Sequence, residues 1–440
     1  MLALVTLALD DRTSQRYTLG LTGPSLRPAV PGDGTWRALG VAMGEGRIIP
    51  ALTATPDDVT RSDADATAQP GPVRAALVCR PAPAFRDLVA DGAPQLRSGT
   101  ERDLGADQSN TSVVLAERII LKAYRRLQPG LNPDLEMTAF LSEEAAFPAV
   151  PRLAGFAEVV SARDGTSTVA MAQEYVADGA DAFEWLAETL TAWLVAPGEV
   201  SVEFATLIAA DLGTLTAGLH AALSDGHGLP DMAPREATRD EIRSWAREAR
   251  AHMDTALDVT SGEARSTLVE LAPRMVEALT VLDAISTTPQ VIRAHGDLHL
   301  GQLLVAPDGF RVIDFEGEPL SPPESRRAHR SPLRDVASML RSLDHVARSA
   351  RRRAETADGG PLDHVALDLD AWVQRARERF LDAYEAGLRE HRVWIDRDPA
   401  LLRAFEIDKE LYEFTYATTY LPTWLYAPIE GMRALFEGDG

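Results

Sequence analysis

The chain contains a single cysteine, Cys79, among its 440 residues. It cannot form an intrachain disulfide, which is typical of proteins from a reducing compartment, so we expect a cytoplasmic protein. Cys79 directly follows Leu77 and Val78. We therefore expect a small buried side chain here rather than a nucleophile.

Positive charge and long apolar runs are also scarce. Acidic residues outnumber basic ones by 66 to 44, and the formal net charge is -22. Nucleic acids and anionic membranes bind basic surfaces, so neither is an expected partner. No apolar run approaches the roughly 20 residues that cross a bilayer. The apolar start, residues 1–9, has no basic leader, and we predict a strand there rather than a signal peptide.

The most informative segment of the chain runs from residue 295 to residue 316. Asp297 is followed by an amide, Gln302, and by a second carboxylate, Asp314, with Glu316 two residues later. Phosphoryl transfer from Mg-ATP uses one Asp to align and deprotonate the attacking hydroxyl, and an amide and a second Asp to hold the metal. The pattern therefore predicts Asp297 as the catalytic residue and Gln302, Asp314 and Glu316 as Mg²⁺ ligands.

Each part of this pattern has an ordinary alternative. A His-Gly-Asp turn, or an Asp after an apolar strand, is common in loops and helix caps. Residues 303–305 and 310–313, however, predict a hairpin around the turn at 307–309. A hairpin that joins the two carboxylates, with Gln302 between them, favours the phosphoryl-transfer interpretation.

A second candidate group lies earlier in the chain. Residues 113–124 predict two strands, and Lys122 lies in the second, where an apolar setting requires a partner for its charge. Asn132 and Pro133 indicate the start of a helix, and Glu136 in its first turn is the predicted partner. A Lys–Glu pair of this kind directs the ammonium at ATP phosphates in kinases. Alternatively, Glu136 only stabilises the helix N-terminus through the helix dipole.

Two short segments are further candidates for ATP binding. The hydroxyl-rich turn before the first strand can offer N–H groups and hydroxyls to phosphates, although it lacks glycine and could be an ordinary surface turn. The segment after the last predicted strand of this region can offer backbone groups to adenine. The turn comprises Gln108, Ser109, Asn110, Thr111 and Ser112, and the second segment comprises Gln173, Glu174, Tyr175 and Val176.

After residue 181 the chain is predicted to be mostly helical. Apolar residues recur near a period of 3.6 over residues 183–195, 203–223, 240–257, 266–285, 334–352 and 369–390. His220 lies among apolar neighbours on one of these helices. We expect it to be a packed core histidine rather than a metal ligand.

These motifs together resemble the actinobacterial maltokinase-like kinases, within the aminoglycoside phosphotransferase and eukaryotic-like kinase group. The resemblance covers roughly residues 100–430 and rests on residues 108–112, 121–122, 131–136, 295–302, 314–319, 326–327 and 331–337. It implies an α+β bilobal kinase fold with a small β-rich N-lobe, a large helical C-lobe and an extra N-terminal cap. The implied subdomains are residues 1–99 (cap), 100–178 (N-lobe) and 179–440 (C-lobe). Asp335 would brace the catalytic loop.

The resemblance also implies an ATP- and Mg²⁺-dependent sugar kinase. The chain lacks the Gln-Arg-Trp opening of maltokinases and differs from them after residues 412–413. A similar branch phosphorylates glucosamine to glucosamine 6-phosphate, and we favour that branch. Conversion of maltose to maltose 1-phosphate is one alternative. A catalytically silent nucleotide-binding pseudokinase or scaffold is another, although the full set of predicted catalytic residues argues against it.

Candidate acceptor contacts lie near the C-terminus and in the catalytic loop. Glu406 and Glu410 share a helix face and could accept hydrogen bonds from a sugar or pair with its ammonium. Trp424, in a Pro-flanked loop, could stack on a pyranose ring. Asp297 and His299 complete the predicted acceptor site. The ordinary alternatives are a solvated helix face for the two glutamates and a core anchor for Trp424.

Overall fold

The computed structural model describes residues 1–8, 14–50, 75–90, 92–104, 110–162, 165–196, 198, 200–321, 323–358, 360 and 366–437. The chain forms two compact units, Met1–Ala177 and Asp178–Gly440. The boundary between them is one residue from the predicted start of the C-lobe. The predicted boundary at residues 99 and 100 falls inside the first unit, so the three-part division stays a prediction.

The first unit is built around antiparallel strands. One sheet has the order β1-β2-β3, with β9 also paired to β2, and a second sheet of seven strands has the order β4-β5-β10-β11-β8-β7-β6. The strands are β1 (Leu2–Ala8), β2 (Ser14–Thr22), β3 (Arg27–Pro28), β4 (Ile48–Pro50), β5 (Ala75–Pro81), β6 (Glu101–Asp103), β7 (Thr111–Leu115), β8 (Ile119–Ala123), β9 (Arg126–Leu127), β10 (Leu153–Ser161) and β11 (Gly165–Glu174). Both sides of residue 99 therefore contribute strands to one sheet.

Alternation of side chains along β8 decides which of them enter the core. Ile119 and Leu121 are fully buried, while Lys122 points to the other face of the sheet, as the period of two requires. Cys79 lies in the same core at 2% exposure, and burial raises the pKa of its thiol to about 11. The prediction that Cys79 is a buried apolar side chain is confirmed.

Short helices flank these strands in the first unit. Helix α4 begins as predicted, with the Asn132 side chain accepting a hydrogen bond from the Leu135 N–H and with Pro133 at the first position. It continues into a π-helical turn, Phe140–Glu144. The helices are α1 (Thr35–Gly44), α2 (Phe85–Leu88), α3 (Ala93–Ser98) and α4 (Pro133–Ala139).

The second unit is mostly helical, as predicted. Its helices are α5 (Ala182–Leu194), α6 (Val202–Ala205), α7 (Leu207–Leu223), α8 (Arg239–Val259), α9 (Gly262–Leu279), α10 (Val281–Ala284), α11 (Leu333–Asp358), α12 (Leu369–Glu390), α13 (Pro399–Tyr420) and α14 (Tyr426–Phe436). Short strands accompany them: β12 (Ala180–Asp181), β13 (Arg235–Glu236), β14 (Gln290–Val291), β15 (Leu303–Ala306) and β16 (Gly309–Val312). The predicted hairpin is β15 paired with β16.

One stretch of this unit meets the length and hydropathy criteria for a membrane span, contrary to the expectation from the sequence. It is Val202–Leu223, with a mean hydropathy of 1.3. It comprises α6 and α7, and α7 packs against α12 with Leu212 and Leu219 fully buried. A core helix meets the same criteria, because both settings require apolar side chains.

Candidate active site

The loop that carries Asp297 is shaped by a glycine and held by a distant carboxylate. Gly296 has φ +85°, a conformation that glycine adopts without a steric penalty. Asp335, in the first turn of α11, accepts hydrogen bonds from the backbone N–H groups of His295 and Gly296, each at 2.9 Å. The prediction that Asp335 braces the catalytic loop is confirmed.

A buried chain of hydrogen bonds supports Asp335 from behind. His220 Nε2 lies 3.3 Å from Asp335 Oδ2, and His220 Nδ1 lies 2.8 Å from the hydroxyl of Tyr384. Burial favours a higher pKa for Asp335, but the hydrogen bond from His220 and the Gly296 N–H outweigh it and lower the pKa. Asp335 therefore stays ionised as an acceptor, and His220 is the packed core histidine that was predicted.

The His295 side chain contacts both the loop that carries Asp297 and the segment that leads to Asp314. Its Nε2 lies 3.1 Å from the Ile313 carbonyl, and its Nδ1 accepts from the Asp297 N–H at 3.3 Å. These partners assign the ring proton to Nε2. The Ile313 N–H donates to the Gln302 carbonyl at 3.0 Å, and the His295 ring packs on Phe315. The catalytic loop, Gln302 and the segment that begins at Ile313 therefore form one connected structure.

The carboxylates of Asp314 and Glu316 lie close together. An oxygen of each lies within 4.8 Å of an oxygen of the other. Asp314 has φ +64°, which is uncommon outside glycine and often marks functional positions. Carboxylate and amide oxygens are the ligands that Mg²⁺ prefers. The donor set of Gln302, Asp314 and Glu316 fits this metal, and their role as ligands stays a prediction.

Asp297 is paired with a lysine that the sequence patterns did not indicate. Lys409 Nζ, on α13, lies 3.0 Å from Asp297 Oδ1, 3.3 Å from Glu413 Oε1 and 3.6 Å from Glu318 Oε1. The Lys409 side chain is only 8% exposed. Burial favours a lower pKa for Lys409, but the three carboxylates raise its pKa well above the usual value. A permanently charged ammonium therefore faces the predicted catalytic carboxylate.

A cavity of about 440 Å³ opens at this ion cluster. Asp297, His299, Gln302, Lys409, Glu413 and Trp424 are among the residues that line it. His299 accepts from the Gly301 N–H through Nδ1 at 3.1 Å, which assigns the ring proton to Nε2, and burial lowers the pKa of the ring. That Nε2 lies 3.8 Å from Asp297 Oδ2. The structure thus brings together the predicted acceptor residues Asp297, His299 and Trp424.

Glu406 and Glu410 do not reach this cavity, and the prediction that they contact the acceptor is corrected. Both are fully buried, so they do not form a solvated helix face either. Glu406 makes two hydrogen bonds with Arg377, and Glu410 accepts from Arg341 and His345 at 3.2 and 3.0 Å. Both carboxylates are therefore bound to internal cations rather than to groups in the cavity. The cavity is reached instead by Glu413, less than one turn beyond Glu410.

In the first unit, Lys122 has a partner that the sequence did not single out. Lys122 Nζ lies 2.9 Å from Asp134 Oδ2, and the hydroxyl of Tyr124 donates to the same oxygen at 3.0 Å. Asp134 is fully buried in the first turn of α4. The expected strand-to-helix ion pair therefore forms with Asp134, and a contribution from Glu136 stays a prediction.

The predicted phosphate turn is described only in part. Gln108 and Ser109 lie outside the described residues, while Thr111 and Ser112 begin β7 after Asn110. The Thr111 hydroxyl accepts a hydrogen bond from Arg125 Nε at 3.1 Å. Phosphate binding by this turn stays a prediction.

The candidate adenine segment spans the end of β11, and several of its backbone N–H groups already donate hydrogen bonds within the first unit. Gln173 and Glu174 end the strand, and the N–H groups of Glu174 and Tyr175 donate to the carbonyls of Arg152 and Arg118 at 2.8 and 2.9 Å. The Val176 N–H donates to no described residue. Adenine binding by this segment stays a prediction, with Val176 as its main candidate donor.

Composition could have revealed the lysine that was missed. The chain contains only two lysines among its 44 basic residues, Lys122 and Lys409. Each is paired with a buried carboxylate in a candidate site. Because lysine is so rare in this arginine-rich chain, each of the two is a candidate for a specific contact.

Known proteins resemble this chain over most of its length. The model of the phosphotransferase enzyme family (APH) matches residues 100–324. A glucosamine kinase of Streptacidiphilus jiangxiensis is 33% identical over 334 residues, which are 74% of this chain and 72% of that protein. A glucosamine kinase of Mycolicibacterium smegmatis is 31% identical over 341 residues, 77% and 80% of the two chains. A solved glucosamine kinase in complex with glucosamine, ADP and inorganic phosphate has a TM-score of 0.71 and 28% identity, covering 99% of this chain and 94% of that one.

Proposed function

The chain belongs to the phosphotransferase enzyme family, and we propose that it transfers the γ-phosphoryl group of ATP to the 6-hydroxyl of glucosamine. The observation that carries this choice of acceptor is the cluster of three carboxylates around one buried ammonium, at which the cavity opens. The similarity to named glucosamine kinases supports the same acceptor. We also propose a cytoplasmic location, where ATP is available and a single cysteine stays reduced.

The proposed reaction exchanges one P–O bond for another. The 6-hydroxyl oxygen attacks the γ-phosphorus, the bond to the β-phosphate oxygen breaks, ADP leaves, and the hydroxyl proton moves to Asp297. Gln302, Asp314 and Glu316 would hold Mg²⁺, which neutralises phosphate charge when bound. Lys122, fixed by Asp134, and the 108–112 turn would bind phosphates in the first unit. Catalysis then rests on positioning and electrostatics.

The charges around Lys409 favour an acceptor that carries an ammonium. Asp297, Glu318 and Glu413 are three carboxylates around one ammonium. A second positive charge in this cavity would compensate the excess of carboxylates. Glu413 is the proposed partner, because it lines the cavity and its side chain keeps 18% exposure.

An aromatic group on the cavity wall suits the uncharged part of a sugar. Trp424, held edge-on by Phe183 at 5.4 Å between ring centroids, offers an apolar surface for the pyranose ring.

The test of this function is a side-by-side assay of glucosamine, N-acetylglucosamine, glucose and maltose with Mg-ATP. Glucosamine is expected to give the highest kcat/KM, because acetylation or loss of the amine removes the charge that the cavity would bind. Maltose as the best acceptor would overturn the choice and favour a maltokinase. Binding of ATP without turnover of any acceptor would favour the pseudokinase alternative.

Glu413→Gln is expected to lower kcat/KM for glucosamine by about 10- to 100-fold, the equivalent of one lost hydrogen bond to a charged group. The loss for glucose should be much smaller. Steady-state kinetics with both sugars measures the difference. Glu430→Gln is the matched control, since Glu430 pairs with Arg348 and does not line the cavity. An equal loss with both sugars would remove Glu413 from ammonium recognition.

A further inference from the structure

We infer that Lys409 is a positioning residue that couples recognition of the acceptor's ammonium at Glu413 to the alignment of Asp297. The inference rests on the proposed function and adds a consequence to it: the amino group of the acceptor raises kcat as well as affinity. Lys409 itself does not bind the sugar. It acts through the carboxylates that it holds.

Lys409 connects three separate parts of the second unit. Asp297 belongs to the catalytic loop, Glu318 lies four residues after Asp314, and Glu413 is one turn further along α13. The ammonium also lies 4.5 Å from the centre of the Tyr412 ring. Because the side chain is only 8% exposed, water cannot readily replace any of these partners. A change at one carboxylate therefore alters the forces on the other two.

The three carboxylates compete for the same ammonium. An ammonium has three N–H donors, and the distances to Asp297, Glu413 and Glu318 are unequal at 3.0, 3.3 and 3.6 Å. A second cation bound to Glu413 weakens its attraction for Lys409. The lysine then interacts more strongly with Asp297 and Glu318.

The consequence for catalysis follows from which oxygen Lys409 holds. Lys409 bonds Asp297 Oδ1, and Oδ2 is left toward the cavity, 3.8 Å from His299 Nε2. A firmer hold on Oδ1 keeps Oδ2 directed at the attacking hydroxyl. A neutral sugar leaves Glu413 on Lys409, so the carboxylate is less well aligned. Interactions that improve in the transition state raise kcat, whereas uniform binding changes only KM.

The experiment measures kcat and KM for glucosamine and glucose with the full-length wild type, Lys409→Arg, Lys409→Met and Glu413→Gln. Wild type is expected to have the higher kcat with glucosamine. Lys409→Met should lower kcat for glucosamine by about tenfold or more beyond its effect on glucose, so that the two kcat values converge. Lys409→Arg keeps the charge and should recover part of the preference.

Two results would overturn the inference. One is an equal loss of kcat with both sugars in Lys409→Met, which indicates a purely structural lysine. The other is a wild type with equal kcat for both sugars. Absence of any glucosamine turnover in wild type would instead reject the proposed function, so the two failures are distinguishable. Glu430→Gln, whose carboxylate pairs with Arg348, is expected to keep the wild-type ratio.

A double variant protects the test against misfolding. Lys409→Met leaves three carboxylates without their ammonium, and Lys409→Met/Glu413→Gln removes one charge of each sign. Thermal unfolding shows whether Lys409→Met is folded. If it is not, the double variant is compared with Glu413→Gln instead. Its kcat ratio for the two sugars should match that of Glu413→Gln, because the coupling is already broken. A further selective loss for glucosamine would contradict the proposed route through Glu413.

Discussion

Asp297→Asn is expected to lower kcat by about 10²-fold or more while ATP still binds. The Asn amide has almost the same shape, and its oxygen can keep the hydrogen bond from Lys409 that Asp297 Oδ1 accepts at 3.0 Å. It cannot accept a proton from the attacking hydroxyl. The NH₂ group of Asn would replace Oδ2 and face the N–H of His299 Nε2, so that two hydrogen-bond donors would point at each other.

Two measurements separate chemistry from binding in this variant. Single-turnover transfer to glucosamine measures the chemical step, and calorimetry measures ATP affinity. Asp308→Asn is the matched control, because Asp308 is 71% exposed at the tip of the β15–β16 hairpin, where it pairs with Arg311. Its kcat should equal that of wild type. Turnover retained by Asp297→Asn would remove Asp297 from the role of proton acceptor.

The parts of the site that follow local rules could be predicted from the sequence. The hairpin between Gln302 and Asp314 depends on a turn with Gly309, which has φ +122°. The start of α4 depends on Asn132 and Pro133. Such signals act within a few residues, so the chain itself contains them.

The face of α13 that points into the cavity could not be predicted. The helix carries four acidic residues, Glu406, Asp408, Glu410 and Glu413, and residues 404–412 are all buried. A helix buried on every side has no polar stripe to indicate its orientation. Glu406 and Glu410 are neutralised by Arg377 and Arg341, which come from α12 and α11.

The ion-pair partner of Lys122 could be predicted only to within the first turn of α4. Asp134 and Glu136 both lie in the first turn of α4, and either could reach a lysine on a neighbouring strand. Helix geometry separates their directions by two residues, or about 200°. Only the packing of α4 on the sheet decides which of them meets Lys122, and that packing depends on residues far apart in the sequence. The same reason explains why pairing of β5 with β10 was not predicted.

Glu410→Ala is expected to destabilise the protein by about 3–5 kcal/mol, because it leaves buried cations without a counter-charge. Glu410 is fully buried and accepts hydrogen bonds from Arg341 and His345. Both cations are themselves nearly buried, at 6% and 7% side-chain exposure, so water cannot replace the lost carboxylate. Glu430→Gln, with a side chain that is 42% exposed in wild type, should change stability far less.

The pH dependence of unfolding identifies the contribution of His345. Burial favours a lower pKa for His345, but Glu410 outweighs burial and raises the pKa above its usual 6.5. A raised folded-state pKa means that this stabilisation is fully present below about pH 6.5 and is lost as pH rises through the folded pKa. The free energy of unfolding of wild type, measured with urea, should therefore decrease as pH rises above about 6.5. Glu410→Ala should lack this decrease. An unchanged pH slope in the variant would show that Glu410 is not what keeps His345 charged.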